Sequence, residues 1–385
     1  MSDTPGTALA APRRARVATA IVFALHAAIF AAWTPHIPSV KENLGLNDGT
    51  LGLTLLGAPV GSVVAMLLVG NAVAKWGSRR VVLLTFLGYG LTSPLLGLAW
   101  SAWALFVALA LWGAAQGALD VSMNSQGIAV ENDYGRPILS SFHAWWSFGG
   151  FVGVGLGAVA LGLGVDLTGQ MVGATVVVAL VAWPLTRAML GDDHAVDEHR
   201  LGLPWRDKRV LVLGAIMFAG LLCEGAVGDW AALYLKETVG VAEETAGWGY
   251  AVFAMLMFVG RVMGDRWVLR FGPARVVSVL AAVGAVGMGT ALVVGQFWLA
   301  LVGLGLFGLG LACIVPVAFS SAAAQSDAHA AQAIAGVATA GWAGFLLGPP
   351  LIGLLSHATS QSWALGVLPV LLLSVVFGAR ALKRA

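Results

Sequence analysis

Six ionisable side chains sit where the sequence is otherwise apolar: His26, Asp120, Glu131, His143, Glu224 and Asp229. A charge inside a hydrocarbon layer costs about 2.5–3.5 kcal/mol on insertion scales, so each needs a reason to be there. Burial and a neighbouring charge both move the proton affinity of carboxylates and imidazoles, which lets such groups exchange protons near neutral pH. The chemistry they offer is proton transfer, or hydrogen bonding to a polar solute.

Their spacing narrows this. Gln116, Asp120 and Asn124 fall at i, i+4 and i+8, one polar face of a helix, and His143 and Ser147 fall at i and i+4 on the next. A hairpin turning near residues 133–134 sets Asn124 level with His143 and Asp120 level with Ser147, because both helices rise equally per residue. The expectation is a polar Asp/His cluster able to carry a proton. The alternative is a hydrogen-bonded strut that orients the two helices. Glu224 lies about fourteen residues into its apolar stretch, roughly 21 Å along a helix, as a substrate- or proton-binding acid or as one kept protonated by burial. Asp229 is turned about 140° from it, so separate sites are expected. Trp230 and Tyr234 read either as site aromatics or as interface anchors. His26, Phe30 and Trp33 form a stripe at i, i+4 and i+7, a hydrogen-bonding ring with stacking surfaces of the kind sugars use.

Helices must hold these groups, and the composition says in what medium. Hydrophobic residues make up 59% of the 385 and charged residues only 10%, where a soluble domain carries about 25% charge. The charges cluster and leave twelve apolar windows near the roughly 20 residues that span a bilayer: 17–35, 51–72, 81–99, 102–128, 141–163, 169–189, 210–234, 246–263, 276–294, 297–319, 331–356 and 362–379. None alternates as a barrel strand would. The expected fold is an all-α polytopic membrane protein with twelve transmembrane helices.

The windows divide six and six, and the halves are copies. Thr50-x-Gly52 matches Thr245-x-Gly247. Lys75-Trp76-Gly77 matches Arg270-Phe271-Gly272, and Arg80-Val81-Val82 matches Arg275-Val276-Val277, all at an offset of 195. Leu111-x-Gly113 and Leu306-x-Gly308 keep that offset. With the N-terminus inside, 19 of the 21 Lys and Arg residues fall on the cytoplasmic side, Arg261 among them, and only Lys41 and Lys236 fall outside. The expected organisation is a cytoplasmic tail 1–16, a six-helix bundle 17–190, a linker 191–209, a second bundle 210–380 and a cytoplasmic C-terminus 381–385. The first window is too long for a signal-peptide core. Cys223 and Cys313 read as packing residues, and no metal-ligand spacing occurs.

Two parallel six-helix repeats joined by a charged loop resemble the major facilitator superfamily. The likeness reaches the loops: Gly70, Lys75, Gly77, Arg79 and Arg80 in one, and Gly260-Arg261, Gly264-Asp265-Arg266, Arg270 and Gly272 in the other. Ala74 stands where the family carries an acid. The resemblance implies that these loops latch the halves through charge pairs, here more through Asp265 than the first loop; simple topological anchoring is the alternative. Gly113–Asn124, Ser141-Phe-His143 and Glu224-Gly225 with Asp229-Trp230 resemble uncharacterised bacterial inner-membrane facilitators, distantly similar to fucose-permease-like sugar:proton symporters. That resemblance implies a cavity lined by helices 1, 4, 7 and 10, with solute bound near the midplane.

The expected activity is secondary transport of a small polar solute by alternating access. Proton symport is favoured over uniport by the buried acids and histidines. An exporter working by proton antiport, or a non-transporting receptor of the same fold, are the alternatives; span 5 lacks the Gly-Pro pair that marks antiporters of the superfamily. No nucleophile–base constellation suggests an enzyme. No cofactor is expected, since a proton or substrate gradient would drive transport. The expected setting is a monomer in the bacterial cytoplasmic membrane, with both termini cytoplasmic and no nucleic-acid partner.

Overall fold

A computed structural model describes residues 10–135, 138–191, 208–323 and 327–382, and these contain helices and turns but no strand. In chain order the helices are α1 (Ala10–Trp33), α2 (Ile37–Asn43), α3 (Asp48–Leu55), α4 (Gly57–Trp76), α5 (Ser78–Thr92), α6 (Ala102–Tyr134), α7 (Leu139–Gly162), α8 (Leu167–Ala188) and α9 (Lys208–Leu233). They continue with α10 (Glu243–Ala246), α11 (Trp248–Phe271), α12 (Pro273–Val294), α13 (Phe297–Leu311), α14 (Ile314–Ala323), α15 (Asp327–Ala358), α16 (Gln361–Leu365) and α17 (Val367–Gly378).

Among the described residues, eleven helical segments are long and apolar enough to cross a bilayer. The remaining window, 81–99, is α5 followed by a 3₁₀ turn at Ser93–Leu96. Pro94 explains the break, because it has no N–H for the bond to residue i−4. The Ser93 hydroxyl donates to the Tyr89 carbonyl at 2.7 Å and accepts from Trp112 Nε1 at 3.0 Å, which fixes the corner. Trp100, Trp103, Trp298 and Trp363 stand exposed beside helix starts, as interface anchors do.

The chain packs as two compact units. One comprises Met1–Trp33 with Thr54–Glu198, and the other Thr34–Leu53 with His199–Ala385. Both are built by the same pairings. In the first, α1 lies on α7, α4 on α6, and α5 against α6 and α8; in the second, α9 lies on α15, α11 on α13, and α12 against α13 and α17. Glycines set these approaches. A Cβ at Gly149 or Gly153 would land on the carbonyl of Ala24 or Ala28, and one at Gly344 on that of Phe218. A Cβ at Gly113 would meet the Ala58 carbonyl and one at Gly308 the Phe253 carbonyl, so partners as well as glycines keep the 195-residue offset.

The two loop corners are also copies. Gly77 has φ 78°, ψ 151° and Gly272 φ 83°, ψ 151°, a conformation reserved for residues without a Cβ. Before each, a cation lies over the adjacent ring: Lys75 Nζ is 5.8 Å from the Trp76 centroid and the Arg270 guanidinium 5.2 Å from that of Phe271.

Candidate functional site

The first unit gathers an aromatic cluster around His26. The imidazole is buried, with Nδ1 accepting from Trp146 Nε1 at 3.1 Å. A neutral ring then carries its proton on Nε2. That atom is buried and has no hydrogen-bond partner among the described residues. The Tyr89 ring lies 5.4 Å away and the Tyr89 hydroxyl reaches the His26 carbonyl at 3.5 Å. Phe30 stacks on Trp112 at 5.8 Å and 8°, and Trp112 meets Tyr89 at 5.2 Å. His26 and Phe30 thus face protein, and Trp33 is buried as well.

The polar face of α6 is engaged locally. Gln116 accepts from Ser62 on α4 at 3.1 Å, and Asn124 Nδ2 donates to the Asp120 carbonyl at 2.8 Å and its carboxylate at 3.4 Å. On α7, Ser147 donates to the His143 carbonyl at 3.2 Å, while the His143 ring stands edge-on to Phe23 at 5.5 Å. Asp120 is bonded to Asn124, and the His143 ring stands against Phe23 of α1; α6 packs chiefly on α4 and α7 chiefly on α1. Glu131 caps: its carboxylate accepts the backbone N–H groups of Ile138 and Leu139 at 2.6 and 2.7 Å, at the start of α7.

The second unit holds an ion pair inside its spans. Arg261 Nη2 lies 3.4 Å from Glu224 Oε2 and 3.5 Å from Oε1, with side chains 14% and 12% exposed. Arg261 was expected at the cytoplasmic edge. It sits instead within a membrane-spanning segment, ten residues before the end of α11, about 15 Å from that end. Tyr250, on α11, is buried and close enough to feel the charges of Glu224, Asp229 and Arg261. The glycines beside Glu224 do not loosen α9, which runs unbroken from Lys208 to Leu233; Gly220 and Gly225 admit Ile314 and Phe345 instead. Trp230 and Tyr234 are fully buried and are not interface anchors. Trp230 Nε1 has no hydrogen-bond partner among the described residues, while the Tyr234 hydroxyl donates to the Ala291 carbonyl at 3.2 Å.

Of the loop residues, Gly70, Arg80, Arg266 and Arg270 are exposed and Arg79 half-buried. The Asp265 side chain lies outside the described residues. Tyr250, Trp146, Tyr89 and Trp112 were not among the residues singled out by sequence, and Arg261 was read only as a loop cation. Arg261 carried a signal in its distance from the Gly272 corner, which is too great for a loop residue.

Relatives carry the same framework. An uncharacterised MFS-type transporter of Yersinia pestis is 37% identical over 372 residues, covering 96% of each chain. Among solved structures, a bacterial homologue of the human lysosomal transporter Spinster, inward-facing and unoccupied, superposes with a TM-score of 0.73 at 14% identity, over 99% of this chain and 98% of that one. The Escherichia coli fucose:proton symporter gives 0.64 at 16% identity, over 94% and 97%. The family model described as Major Facilitator Superfamily matches residues 212–384. Two glycine-packed units with identical helix pairings, copied corners and a full-length relative at this identity make the chain a member of the major facilitator superfamily, a multi-pass membrane transporter and not an enzyme.

Proposed function

We propose that the protein carries a small polar solute by alternating access with proton symport, and that Glu224 is the coupling acid. The observation that carries this is the Glu224–Arg261 pair within the spans of one unit. Arg261 neutralises the Glu224 carboxylate while the pair is made. When the pair parts, a lone charge in low dielectric is costly, which is what would couple the carboxylate to a proton. In the first unit, His26 Nε2 with the Phe30, Trp112 and Tyr89 rings forms the solute-facing side, and Asp120 with Asn124 is a second polar station. The resemblance to a fucose:proton symporter is consistent with a hydroxylated solute, which a buried imidazole N–H and aromatic faces suit. The protein works as a monomer in the bacterial cytoplasmic membrane with both termini inside, and needs no cofactor beyond the gradient.

A thermal-shift screen of purified protein against sugars, organic acids, amino acids and drugs at two pH values identifies the solute. In proteoliposomes that solute should then move protons inward with itself. Glu224→Gln is expected to abolish uphill accumulation and proton movement while counterflow exchange persists. Loss of counterflow as well would assign Glu224 to solute binding or folding. Proton movement opposite to the solute would establish an antiporter.

A further inference from the structure

Trp146 Nε1 donates to His26 Nδ1 at 3.1 Å, from α7 to α1, beside the seam that Gly149 and Gly153 close. An indole N–H can only donate, so Nδ1 must present a lone pair, and the single proton of the neutral ring sits on Nε2. The bond therefore does more than tie two helices. It sets which end of the imidazole accepts and which donates, and a proton can reach Nδ1 only after the indole has left.

His26 stands at the midpoint of the 17–35 window, where the bilayer offers no water to satisfy a polar group. Its Nε2 is buried without a hydrogen-bond partner, and no acid pairs with the ring, among the described residues. Leaving a buried donor unpaired is costly, and a leucine here would avoid that cost. Around the imidazole stand Tyr89, with its ring 5.4 Å away, and beyond it Trp112 stacked on Phe30. The one hydroxyl among these rings, that of Tyr89, reaches back to the His26 carbonyl. A trapped water needs about two to four polar partners, and these rings are walls rather than partners. A donor fixed in such walls is matched by an oxygen carried in from outside: a hydroxyl, a carbonyl or a carboxylate. It is mismatched with a group that only donates, such as an ammonium.

We propose that Trp146 is a positioning residue that holds His26 as a neutral donor through Nε2, so that His26 binds an acceptor oxygen of the solute and does not carry the coupling proton. This rests on the solute-facing role given to His26 above, and it leaves coupling to Glu224.

Nitrogen NMR of isotope-labelled histidine, in full-length protein in lipid nanodiscs, reads the protonation of each ring nitrogen without any solute. Of the seven histidines, His26 is the one whose signals vanish in His26→Gln. The expected parent signal is one neutral form with its proton on Nε2, unchanged from about pH 5 to 8. In Trp146→Phe the ring should titrate in that range or show both tautomers. A parent His26 that titrates there, or a Trp146→Phe protein with parent signals, overturns the proposal.

The second arm measures the affinity of each compound in the sugar, organic-acid, amino-acid and drug panel that stabilises the parent. His26→Leu should weaken it about tenfold, and His26→Gln, whose amide can accept from Trp146 and still donate, by no more than about threefold. Equal losses in the two would make the bond a strut and overturn the acceptor role. Trp146→Phe should make binding pH-dependent, and adding His26→Gln should remove that dependence. Persistence in the double variant would assign the pH effect to another titratable group nearby, Tyr89 of α5, Asp120 of α6 or His143 of α7, and overturn the assignment to His26. Expected nitrogen signals with no panel compound bound would uphold the fixed donor and count against the solute-facing role alone.

Discussion

Glu224 and Arg261 form a charge pair that neither residue could hold alone at its depth. Removing one partner of a buried pair strands the other, while removing both leaves an apolar site that often costs little. Glu224→Gln and Arg261→Gln should therefore each destabilise the folded protein, by about 1–3 kcal/mol given the small residual exposure. The double variant should recover most of the loss. Thermal unfolding of all four proteins measures the coupling, and additive losses would mean that the pair contributes nothing as a pair. Glu224 was legible in sequence because an acid in the middle of an apolar run has no ordinary explanation. Arg261 was not, because an arginine close to a run of anchoring cations looks like one more of them. His26 was legible as a hydrogen-bonding ring in an apolar stretch, but its bond to Trp146 was not, since 120 residues separate them.

Helices in these units meet through glycine, and the same logic says which glycines matter. Gly153 faces the Ala28 carbonyl, whereas Gly155, two residues on, has open space where a Cβ would be. Gly153→Val is expected to push α7 from α1 and cost about 1–3 kcal/mol or more. Gly155→Ala should be neutral or slightly stabilising, because alanine is the better helix former. Parallel melting curves decide it, and equal effects at the two positions would refute the packing assignment. At the corners, Gly77→Ala puts a Cβ on a backbone conformation that only glycine adopts readily, a loss of about 1–3 kcal/mol in the same melting curves. Apolar windows read from sequence located most membrane-crossing helices, since length and hydropathy are properties of the chain alone. The third was drawn too long because Pro94 lies inside an apolar stretch, and hydropathy is blind to a missing N–H. Depth matching across the 133–134 turn placed His143 level with Asn124, but it could not say that α6 packs chiefly on α4 and α7 chiefly on α1.

The duplication was visible at whole-molecule scale because its glycines and basic residues recur at one offset, and the two units repeat the same pairings. What stayed hidden was the ion pairing of Lys41 with Asp48 and Glu237, and of Lys236 with Glu243 and Glu42. Lys41 and Lys236 looked like two exceptions to a charge rule, and the acids around them had changed between Asp and Glu. Their meaning lies in which carboxylate each one reaches, which no spacing rule encodes. The partition of Thr34–Leu53 into the second unit makes a further prediction. A chain ending at residue 191 should leave that segment open to protease, and co-expression with residues 208–385 should protect it. Cleavage that is equal in both cases would show that the segment needs no partner.

The ion pairs of the second unit also fix how its charge is spread. Lys41 serves Asp48 and Glu237 together, and Lys236 serves Glu243 and Glu42, so two cations answer four carboxylates. The group therefore carries an excess of negative charge. Such a surface enriches cations and holds back anions at that end of the unit.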